Sequence, residues 1–144
     1  MVILFADKKT KAEKEISEIL RRSGAGANGG ITVITDYKEN EADIILPSGA
    51  VGICEDSDLT ALKILMKSGA RVITCGMNPK STVTLSSLTS SSALVSLQRT
   101  VTDIFGNDTE PCELGIKLNR AHSPFAVTAS AAVLLLVGIT PAEF

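Results

Sequence analysis

Few residues of this 144-residue chain combine the types and spacing that ligand chemistry needs. The first group is Asp7-Lys8-Lys9-Thr10, directly after an apolar run at residues 2–6. A lysine followed by a hydroxyl residue, in a turn between strand and helix, matches the pair with which a phosphate-binding loop meets phosphate and Mg²⁺. Lys9 and Thr10 are therefore candidate nucleotide-binding residues. The turn contains no glycine, so side chains stand where main-chain amides would have to approach the phosphate, and Asp7 sets an acid beside it. A plain capped helix start with solvated lysines is the simpler reading. The glycine-rich residues 24–30 follow a helical pattern and precede a strand pattern. That order is the reverse of a phosphate cradle, and the segment reads as a loop.

Other chemistry-bearing residues are sparse. Glu55, Asp56 and Asp58 could gather a cation, although short acceptors ahead of a helical pattern are explained by capping of free amides. His122 is the only histidine, which excludes a histidine metal cluster. Nothing in the pattern supports a Ser/His/Asp triad, so no catalytic residue and no metal ligand is assigned. Cys54, Cys75 and Cys112 are odd in number, far apart and free of any CxxC pair. They read as reduced, mostly buried thiols of a cytoplasmic protein.

Composition narrows the function classes further. The chain is 44% hydrophobic and 21% charged with a net charge of -2, enough apolar content for one folded domain over residues 1–144. No basic excess marks a nucleic-acid surface, and with 3% aromatics and no Trp there is no base-stacking platform. The apolar stretch 125–139 is interrupted by Thr128, Ser130 and Gly138. It falls short of the ~20 residues a membrane span needs and reads as a buried helix.

The elements that would position these residues alternate. Apolar runs at 2–6, 31–35, 51–54 and 71–75 read as strands, and 42–46 is a further apolar run. Residues 10–23 form an amphipathic helix through Ala12, Ile16, Ile19 and Leu20. Residues 59–68 form a second, with Leu62, Leu65 and Met66 on one face. Beyond Gly76 the runs 82–88, 93–102 and 113–118 alternate polar and apolar, as antiparallel strands with one wet face do. The serine-rich residues 86–92 read as a hairpin turn between them, and 124–137 as a last helix packed on the sheet. The fold class expected is α/β: a mostly parallel, Rossmann-like or P-loop-like sheet flanked by helices, with a small antiparallel extension.

The segment from Ala121-His122-Ser123-Pro124-Phe125-Ala126 to Val137-Gly138-Ile139 and Phe144 resembles the end of the central ATPase domain of Mur ligases. These enzymes add amino acids to peptidoglycan precursors, and folylpolyglutamate synthases share their superfamily. In this register His122 falls on the family histidine, Ala129 and Ala132 on small helix positions, and Gly138-Ile139 on the terminating pair. Residues 51–58 and the stretch Arg71 to Met77 resemble earlier pieces of the same domain, in the same order. The resemblance implies a central-domain α/β fold and adds His122 to Lys9 and Thr10 as a nucleotide-contacting position.

The departures are equally specific. Ser123 and Ala126 stand where the family has adenine-contacting asparagines, and its glycine loop is reduced to Asp7-Lys8-Lys9-Thr10. Its Mg²⁺-holding acid and histidine have no counterpart, and 144 residues leave no room for its flanking domains. ATP-dependent ligation needs ATP, Mg²⁺, a carboxylate and a positioned amine. The expectation is a non-catalytic relative without a cofactor, acting on a small-molecule or protein partner and linked to the cell wall by family likeness alone. Two further readings stand beside it. One is a residual ATP-binding subunit of a ligase, with ATP and Mg²⁺ bound and a partner chain supplying the missing domains. The other is a structural module that forms a homo-oligomer. No reading involves nucleic acid or membrane.

Overall fold

The computed structural model describes residues 2–6, 11–25, 30–35, 37 and 45–144. Its elements in chain order are β1 (Val2–Phe5), α1 (Ala12–Arg22), β2 (Ile31–Ile34), β3 (Val51–Glu55), α2 (Leu59–Lys67) and β4 (Arg71–Gly76). There follow β5 (Val83–Leu88), β6 (Ser92–Leu97), β7 (Val101–Thr102), β8 (Asp108–Thr109), β9 (Cys112–Lys117) and α3 (Pro124–Leu136). The chain is α/β. Among the described residues its main sheet has seven strands in the order β2-β1-β3-β4-β5-β6-β9. Pairing is parallel from β2 through β5 and antiparallel from β5 through β9. β7 and β8 form a separate antiparallel pair.

Burial explains this arrangement. β1 is buried at every position, as a strand covered on both faces must be. Val2, Leu4, Ile53 and Ile73 face one core with α1 and α3, while Ile3, Phe5 and Cys54 face the other with Ile64 and Leu65 of α2. α3 is buried at every residue from Phe125 to Leu136. A helix apolar all round belongs inside the protein, and this one lies under β1, β3, β4, β5 and β6. No helix among the described residues is long and apolar enough to cross a membrane. Gly52 of β3 admits α2: any side chain there would run into Leu65.

The antiparallel part departs from the expected strands in two places. The run 93–102 is not one strand, because Gln98, Arg99 and Thr100 separate β6 from β7, which leaves the main sheet to pair with β8. Residues 89–91 close the β5–β6 hairpin, with the Thr89 N–H donating to the Ser92 carbonyl at 2.8 Å. Among the described residues of the run 42–46, Ile45 is 94% exposed and Leu46 only half-buried; neither belongs to a strand. On α2 the packed face is Ala61, Ile64 and Leu65, with Leu62 half-buried. Met66, expected on that face, is 67% exposed.

The outer edge of β9 is covered by the segment after α3. The Lys117 N–H donates to the Ala142 carbonyl at 2.9 Å and the Phe144 N–H to the Lys117 carbonyl at 2.8 Å. Phe144 itself is buried.

Candidate functional site

In an open parallel sheet, ligands bind beyond the carboxyl ends of the strands where the chain order reverses. Here β1 is flanked by β2 on one side and β3 on the other, so the reversal lies between β1 and β3. Residues 7–10 follow β1 in the chain, and Glu55 ends β3. Lys9 and Thr10 lie outside the described residues, so their placement relative to this edge is not described. Glu55, Asp56 and the start of α3 are described, and they share a cleft of about 270 Å³ with Gly76, Met77 and Leu85.

Of the acidic residues expected to cap α2, Asp58 does so and Asp56 does not. Asp58 caps α2, its Oδ1 accepting the Ala61 N–H at 3.1 Å. Asp56 holds the turn after β4, where its Oδ2 accepts the Asn78 N–H at 2.9 Å and the Ser81 hydroxyl at 3.0 Å. Gly76 is required beside it, since a side chain there would strike the Asp56 carboxylate. Among the described residues no group of three His, Cys, Asp or Glu side chains could hold a metal.

His122 lies against α1. Its side chain is 1% exposed and its Nδ1 is 3.3 Å from Glu15 Oε2. The same oxygen accepts the Ser123 N–H at 2.8 Å, so Glu15 caps the start of α3 from another helix. Glu18, one turn further along α1, pairs with Arg120 and, at 3.0 Å, with Arg22. The amide group and positive dipole end that could receive an anion at α3 thus already face a carboxylate. His122 Nε2, Ser123 Oγ and Ser130 Oγ are buried without a hydrogen-bond partner among the described residues. Glu15 and Glu18 look like ordinary solvated helix positions in the sequence; only their long-range partners mark them.

The carboxylates also act on the thiols behind them. Burial, then Asp56 and Glu55, pushes the Cys54 thiol up to about 12. Burial raises Cys75 as well, with further contributions from Cys54, Asp56 and Glu55. Both are therefore neutral at physiological pH and unsuited to nucleophilic chemistry. Cys54 and Cys75 are buried, in line with the expectation of mostly buried thiols, and Cys112 is exposed on β9.

A larger recess of about 460 Å³ lies at the opposite edge, between the turn before β3 and the end of α2. Among the described residues it is lined by turn residues with neither an acid nor a nucleophilic thiol. The one cation among them, Arg71, donates to the Thr102 carbonyl at 2.9 Å. The carboxyl edge is therefore the site with usable chemistry, although its cavity is smaller. No protein-family model matches the chain, and no curated protein matches it.

Proposed function

We propose that this chain is a non-catalytic binding domain on a Mur-ligase-like scaffold. It engages a small ligand or a partner protein at the carboxyl edge of its parallel strands, in peptidoglycan metabolism if the family likeness extends to pathway. The observation that carries the reading is the chemistry of the edge itself. The reversal between β1 and β3 and the cleft beside it supply a place to bind. Glu15 on the Ser123 amide, and Glu55 and Asp56 on the rim, supply charges that oppose a triphosphate. Small fragments observed by NMR should perturb the amides of Glu55, Gly76 and Phe125. A fragment set that binds and ignores that edge would refute the proposal.

The family likeness leaves a second reading, a residual ATP-binding subunit using Lys9, Thr10 and His122 with a partner chain, in which the buried His122 would have to leave Glu15 to meet a nucleotide. A thermal-shift titration with Mg-ATP separates the two. A ligand at 100 times its dissociation constant adds about 2.7 kcal/mol to stability. The binding-domain reading expects no shift. A shift of that size in the wild type, lost in Lys9→Ala, would establish the nucleotide reading instead.

A further inference from the structure

We draw no further inference here: the strongest candidate, the apolar surface patch that Ile104 and Phe105 present at the turn between β7 and β8 beside Gly138, is exposed with nothing in the structure to show what covers it.

Discussion

Between β1 and β4 both faces of the sheet are covered, by α1 and α3 on one side and α2 on the other. Across β5, β6 and β9 only one face is apolar. Ala93, Val95, Leu97 and Ile116 join the core under α3. The opposite face carries Ser86, Glu113 and Lys117, all exposed, with Leu94 half-buried among them. Hydroxyls and an amide knit that face together: the Ser86 and Ser96 hydroxyls lie 2.7 Å apart, and Gln98 Nε2 donates to Thr84 Oγ1 at 2.9 Å. The contrast teaches where chemistry can collect. Parallel strands end together at one edge, and helices there bring Glu15, Asp56 and Phe125 into the same neighbourhood. Antiparallel strands return by a hairpin and gather no such edge.

The largest expected effect tests that contrast in packing. Leu65, fully buried between β3 and α2, should lose about 2–5 kcal/mol on truncation to Ala. Leu94→Ala on the half-covered face should cost less than about 1 kcal/mol, both read from urea unfolding. Equal losses would mean that the outer face is covered in solution by something else, a second copy included. Next is the cap that joins the two helices of the covered half. Glu15→Ala leaves the Ser123 N–H and His122 Nδ1 without this acceptor, and should cost about 1–2 kcal/mol. A neutral outcome would remove Glu15 as the device that holds α1 to α3.

The smallest effect concerns the buried thiols of the covered half. Cys54 is raised from 9.0 to about 12, so the unfolded chain loses this proton first as pH rises. Its stabilising contribution is complete below pH 9 and is withdrawn as pH climbs toward 12. Stability should fall by about 1 kcal/mol between pH 7.5 and 9.5 on this account, and Cys54→Ala should flatten that alkaline limb. Iodoacetamide should label exposed Cys112 in the native protein and reach Cys54 only after unfolding.

The covered half was the more legible from sequence. β1 is a continuous apolar run, α3 is apolar but for Thr128 and Ser130, and Asp58 stands where a cap is needed, so local pattern suffices. Local pattern fails where partners are distant. Glu15 and Ser123 are separated by 108 positions, and nothing near either residue announces the bond. Alternation in the run 93–102 suggests one strand, but Gln98 pairs with Thr84 instead and the chain turns out of the sheet. Met66 repeats at helical spacing with Leu62, yet α2 is short and the sheet beneath it accommodates only Ala61, Ile64 and Leu65 closely. The sequence points to Lys9, Thr10 and His122 as site residues and to capping for the acids; the cleft that joins Glu55 and Asp56 to Phe125 comes only with the fold.

The short bridge from Ala142 and Phe144 to Lys117 has a practical corollary for anyone handling this protein. Those few residues act as a selvedge, finishing a woven border that would otherwise offer free peptide groups to any neighbour. Trimming them would bare that hem together with the recess filled by the Phe144 ring, and leave an edge open to pairing with a second chain.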